Sequence, residues 1–119
     1  MEQRFELSYY PEGDLLEVIF DTSLRRVKQT AYHLRDGLML FAAVDSAKPV
    51  QLTIVNYRRL VQMPTFYFNG WKKLKATDRK KLLPILNSSQ VSAFVKLDPQ
   101  TGYGYLPNHS MLNAFPLAA

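Results

Sequence analysis

The sequence predicts an α+β (mainly β) domain: an N-terminal five-strand antiparallel meander, one short helix near 77–87, and a C-terminal hairpin at 91–106. Three observations carry this. Apolar and polar residues alternate with a period of two from Phe5 to Phe20. Turn clusters punctuate the chain at Pro11-Glu12-Gly13-Asp14, Arg35-Asp36-Gly37 and Asp98-Pro99-Gln100-Thr101-Gly102. One helix signal stands out, Thr77-Asp78 ahead of an apolar stripe at Leu82, Leu83 and Leu86. With 119 residues the chain is read as a single domain, 1–60 being the meander and 61–119 a helix-and-hairpin extension.

The first strand places Phe5, Leu7 and Tyr9 on one face and Glu6, Ser8 and Tyr10 on the other. Pro11 presets φ and Gly13 tolerates positive φ, so the chain reverses and Leu16, Val18 and Phe20 continue the apolar row. Val27 to Leu34 is a mostly polar strand and belongs near an edge. Asp36-Gly37 turns it into Leu38 to Val44. That strand is apolar on both faces, Leu38, Leu40 and Ala42 against Met39, Phe41 and Ala43, and is expected to be covered on both. Val50, Leu52 and Ile54 form the inward row of a fifth strand.

Beyond it, Tyr57 to Val61 reads as a short helical turn stopped by Pro64. Thr65 to Trp71 is an aromatic strand or packed loop. Pro84 is expected to limit the 77–87 helix to about two turns. Val91 to Leu97 reads as a strand, paired through the Asp98–Gly102 turn with Tyr103 and Tyr105.

Composition narrows function. The chain has no cysteine, which excludes a disulfide scaffold, a thiolate zinc site and a cysteine nucleophile. The longest apolar run, Leu38 to Val44, is far short of the roughly 20 residues that cross a bilayer. The start, Met1-Glu2-Gln3-Arg4-Phe5-Glu6, is charged, unlike a secretory signal. The expectation is a cytoplasmic bacterial protein with no membrane contact. Charge is segregated: residues 1–21 hold six carboxylates against Arg4, a net of −5, and residues 58–81 hold eight cations against Asp78, a net of +7. A basic surface of that kind attracts polyanions or an acidic protein face, or is neutralised by the acidic segment of the same or a second chain.

Tyr10-Pro11-Glu12-Gly13-Asp14-Leu15-Leu16 with Val18 and Phe20, Gly37-Leu38-Met39-Leu40, and Leu52-Thr53-Ile54-Val55-Asn56 leading into Tyr57-Arg58-Arg59-Leu60 together resemble a family of small bacterial proteins known as domain of unknown function 2283. The resemblance covers residues 5–60 and falls on turn and core positions. It implies a small β-rich domain and no enzymatic activity. Some relatives are similar to components of toxin–antitoxin pairs. The chain departs from the pattern where Phe41 and Ala43 replace acids facing outward, and in the long extension after residue 60.

No motif announces catalysis. Glu12, Asp14 and Glu17 lack the ligand spacing of a calcium loop and read as turn and surface chemistry. His33 and His109 stand at no recognisable spacing from a carboxylate, no serine lies in a nucleophile elbow, and the five glycines form no phosphate-binding fingerprint. No cofactor, metal or catalytic residue is expected. The segment Phe66 to Lys75, running into Arg79-Lys80-Lys81, interleaves aromatics with cations as single-strand nucleic-acid binders do. Its candidate contacts are Trp71, Lys72, Lys73, Lys75, Arg79, Lys80 and Lys81, although aromatics such as Phe66, Phe68 and Trp71 are more often core and such lysines more often a solvated face. The leading expectation is a non-catalytic protein-interaction domain, a homodimer or a partner of another bacterial protein, with Met39, Phe41 and Ala43 at the interface. Nucleic-acid binding through 66–81 and membership of a toxin–antitoxin-like pair are the alternatives.

Overall fold

A computed structural model describes residues 6–107. Five strands form one antiparallel sheet: β1 (Glu6–Tyr10), β2 (Leu15–Ile19), β3 (Gln29–Arg35), β4 (Leu38–Ala43) and β5 (Pro49–Val55). The helices are α1 (Tyr57–Gln62), α2 (Ala76–Leu86) and α3 (Ser89–Ser92). A second sheet of three short strands combines β6 (Phe66–Tyr67), β7 (Lys96–Leu97) and β8 (Tyr103–Tyr105). The class is the expected α+β, mainly β. Phe5 and His109 lie outside the described residues.

The strand order in the large sheet is β1-β2-β5-β4-β3. β1–β2 is a hairpin and β3–β4–β5 a meander, but β5 inserts beside β2 rather than ending the row. Leu16 and Val18 of β2 thus face Ile54 and Leu52 of β5. The reason is burial: β5, whose Val50, Leu52 and Ile54 are all buried, takes the centre, and polar β3 takes an edge. Position β5 also brings the end of the meander back to the first turn. Asp14, held in left-handed conformation at φ 49°, accepts the Tyr57 backbone N–H at 3.0 Å on its own carbonyl.

α1 starts and stops where expected. α2 runs through Pro84, which lies on its exposed side, so the helix spans 11 residues rather than two turns. Thr77 and Asp78 sit inside the first turn and Lys75 occupies the cap position without a side-chain bond. The Val91–Leu97 strand is the larger correction. Val91, Phe94 and Val95 are buried at helical spacing, Ser88 caps α3 by accepting the Val91 N–H, and only Lys96–Leu97 is extended.

One face of the large sheet carries the core. Leu16, Val18, Leu34, Leu38, Leu40, Leu52 and Ile54 pack against Leu60 of α1, Leu82, Ile85 and Leu86 of α2, and the aromatics Phe66, Phe68 and Trp71. The extension therefore covers the Leu40 side of β4. Close approach fixes part of this. Gly70 lies so near the edge of β3 that a Cβ there would stand 2.0 Å from the His33 carbonyl oxygen, and the Gly70 and Trp71 N–H groups both donate to the Leu34 carbonyl.

Candidate functional site

Two surfaces outside the core carry chemistry. The first is the open face of the large sheet. Paired residues share a face, so the register aligns Ser8, Glu17, Thr53, Met39 and His33 in one row across all five strands. The neighbouring row is Glu6, Ile19, Gln51, Phe41 and Ala31. Gln51 Nε2 donates to Thr53 Oγ1 at 3.1 Å and reaches Glu17 Oε1 at 3.5 Å. Met39 and Phe41 are half-buried and stand outside the core cluster, beside buried Ile19 and Ala43. The expectation that β4 is covered on both sides thus fails for the described residues of a single chain. The helical half covers Leu38 and Leu40, because that is the face to which Trp71 and α2 can bring apolar surface. Ala43, by contrast, is buried within the chain, at the end of β4 where its carbonyl and N–H bond to the β4–β5 turn.

The second surface is the outer face of the small sheet. Phe66, Gly104 and Leu97 are paired across it and point inward, which turns Tyr67, Tyr103, Tyr105 and Lys96 outward. The tyrosines are 39%, 51% and 45% exposed, and the rings of Tyr67 and Tyr103 lie 5.1 Å apart at 50°. Beside them is a groove of about 580 Å³, lined by Tyr103, Tyr105, Lys96, Asn87, Asp98 and Thr101 among others.

The expected basic segment divides between these layers. Lys72, Lys73, Lys75, Lys80 and Lys81 are exposed and Arg79 is half-buried, with Nη1 donating to the Lys72 carbonyl. Trp71 is a correction. It is 2% exposed and its Nε1 donates to the Pro99 carbonyl at 3.0 Å, so its ring is core and offers no stacking face. The accessible aromatics near this segment are Tyr67, which lies within it, and Tyr103 and Tyr105, which the sequence offers only as strand residues.

Comparison with family models, curated proteins and solved structures finds no match. The resemblance of residues 5–60 to domain of unknown function 2283 rests on those residues alone.

The acids do not gather. Among the described residues no three of His, Asp and Glu converge as metal ligands would. Asp14 is engaged within the fold: Oδ1 accepts the Tyr9 hydroxyl at 2.6 Å, and both oxygens accept the Arg58 N–H. The Arg58 guanidinium lies 5.7 Å over the Tyr9 ring. Burial, then the bond to Asp14, pushes the Tyr9 phenol above its ordinary value. Among the described residues no helix is long and apolar enough to cross a membrane.

Proposed function

We propose that this chain is a non-catalytic protein-interaction domain that self-associates through the open face of its large sheet. The observation that carries the reading is the pair Met39 and Phe41. They stand side by side on β4, next to the edge strand, on a face that the helical half leaves uncovered. Apolar residues grouped on an otherwise polar surface mark contact sites more often than they mark chance.

The pattern across that face suits a second copy. Glu17 lies toward one side of its row and His33 at the other, with Thr53 and Met39 between. A two-fold axis running along the strands between Thr53 and Met39 brings each Glu17 toward the other copy's His33 and lays Met39 and Phe41 over the other copy's Thr53 and Gln51, one strand from its Met39 and Phe41. Such polar pairs align the partners more than they stabilise them.

Light scattering behind size exclusion tests this. The chain is expected to elute as a dimer at micromolar concentration, and Phe41→Asp as a folded monomer. A wild-type monomer at that concentration overturns self-association, and a Phe41→Asp chain that stays dimeric places the contact elsewhere.

A further inference from the structure

The outer face of the small sheet is independent of that reading, since it belongs to β6, β8 and β7 and not to the large sheet. Its three tyrosines are the most concentrated exposed aromatic surface among the described residues. A hydrophobic face open to water is unexplained by folding, because Phe66 and Leu97 on the reverse of the same strands already supply the core contact.

Cations frame this face. Lys96 stands directly opposite Tyr105. The Tyr67 ring and the Lys72 stem close together over Gly102, where an added Cβ would meet Tyr67 Cε1 at 2.9 Å and Lys72 Cε at 3.3 Å. Lys72 Nζ donates to the Gln100 carbonyl at 3.0 Å, which orients the ammonium and leaves two N–H groups for a ligand. Arg35 lies behind β6, its guanidinium 4.9 Å over the Phe66 ring and Nη1 on the Tyr67 carbonyl. Lys73 and Lys75 continue the positive charge along the chain. The acids of this region are Asp98, whose Oδ1 already accepts the Gln100 N–H at 2.9 Å, and Asp36, whose Oδ2 accepts from Asn69 Nδ2 at 3.3 Å.

We propose that this tyrosine face binds single-stranded nucleic acid. Unpaired bases stack on tyrosine faces without regard to sequence, and lysines beside them neutralise the phosphates. Tyr103 and Tyr105 are two residues apart on one strand face, about 7 Å, a spacing that seats successive bases of an extended strand. The groove beside them adds Asn87 and Thr101, whose amide and hydroxyl can meet a base edge. A duplex hides its base faces and gains only the lysine contacts. Protein interfaces also favour exposed tyrosines, so the ring of lysines, which neutralises phosphates, is what assigns this face to nucleic acid.

The test uses the full chain and a fluorescein-labelled oligothymidylate of about 16 nucleotides, read by anisotropy. Binding is expected to favour the single strand over a duplex of equal length and to weaken steeply between about 50 mM and about 200 mM salt. Tyr67→Ala and Tyr103→Ala each weaken it by about tenfold and leave the salt slope unchanged. Lys96→Glu weakens it and flattens the slope. Circular dichroism checks that these exposed-site variants fold. Four results overturn the proposal: no binding at the lower salt; equal affinity for duplex; tyrosine variants that bind like wild type; or Lys80→Glu on α2 costing as much as Lys96→Glu. Displacement of the oligonucleotide by polyglutamate at equal charge also overturns it, and assigns the face to an acidic protein.

Discussion

The carboxylate of Asp14 accepts the backbone N–H of Arg58, 3.1 Å and 3.2 Å from its two oxygens. Asn56, which occupies the cap position of α1, makes no side-chain cap bond. A residue from the first hairpin thus caps a helix that begins after the fifth strand, and Tyr9 holds the cap in place through its 2.6 Å bond to Oδ1. Asp14→Ala is expected to cost about 1–2 kcal/mol, the worth of a helix cap plus the tension of an alanine at positive φ. Urea unfolding measures it. Tyr9→Phe is expected to cost less, about 1 kcal/mol, because it loosens the cap without removing it. Equal stability of wild type and Asp14→Ala would show that the contact contributes nothing.

Gly70 and Gly13 separate two reasons for a glycine. A Cβ on Gly70 would stand 2.0 Å from the His33 carbonyl oxygen and under 3 Å from the Leu34 backbone, atoms that cannot swing aside. A Cβ on Gly13 meets nothing within 4 Å. Gly70→Ala is expected to destabilise by about 3 kcal/mol as an overpacked contact. Gly13→Ala is expected to be neutral or to stabilise by up to about 1 kcal/mol through the unfolded chain. Thermal unfolding of the two variants side by side decides the matter, and a Gly70→Ala protein as stable as wild type would mean that the 68–71 segment does not clamp β3.

The Tyr57 hydroxyl is buried without a hydrogen-bond partner among the described residues, and burial pushes its pKa up to about 12. Only the neutral phenol suits the folded state. The unfolded chain ionises near the ordinary value of 10, so Tyr57 contributes stability that is complete below pH 10 and is lost as pH climbs toward 12. Tyr57→Phe removes the stranded hydroxyl and is expected to stabilise the chain by about 1 kcal/mol at neutral pH. It should also flatten the fall in stability across that alkaline window. Urea midpoints at pH 8 to 11 would reveal a hydroxyl with an unseen partner if Tyr57→Phe were the weaker protein.

What was legible in the sequence followed from local chemistry. The Asp36-Gly37 turn is written in residues that tolerate its dihedrals, and Gly37 takes φ +80°, whereas in the Tyr10–Leu15 reversal the left-handed residue is Asp14 at φ 49° and not Gly13. The order β1-β2-β5-β4-β3 was not legible, because the pairing of Leu16 with Ile54 depends on burial shared between distant segments. Val91 to Val95 misled because Val91, Ala93 and Val95 fit a period of two, while the residues actually buried include Phe94 at helical spacing. The tyrosine face had a signal. Gly104 between two tyrosines allows β8 to approach the Lys96 carbonyl, where a Cβ would stand 1.9 Å away, and so fixes both rings outward. Trp71 drew attention instead because its neighbours are lysines, but adjacency in sequence did not determine which face the indole took.

The sidedness of β4 makes a sharp comparison between adjacent residues. Leu40 is fully buried among Tyr32, Leu52 and the helical half, whereas Phe41 is half-buried on the opposite face beside Gln51 and Ala31. Leu40→Ala leaves a cavity between layers and is expected to cost about 2–5 kcal/mol in any assembly state. Phe41→Ala removes more atoms but from a site that solvent already reaches, so in the monomer it should cost about 1 kcal/mol. If the chain pairs through this face, the Phe41→Ala penalty grows with protein concentration, because the dimer's stability includes the contact, while that of Leu40→Ala does not. Denaturation repeated over a hundredfold range of concentration reads this directly. Equal, concentration-independent penalties at both positions would mean that Phe41 is ordinary core, and that the open face of the sheet is closed by residues of the same chain.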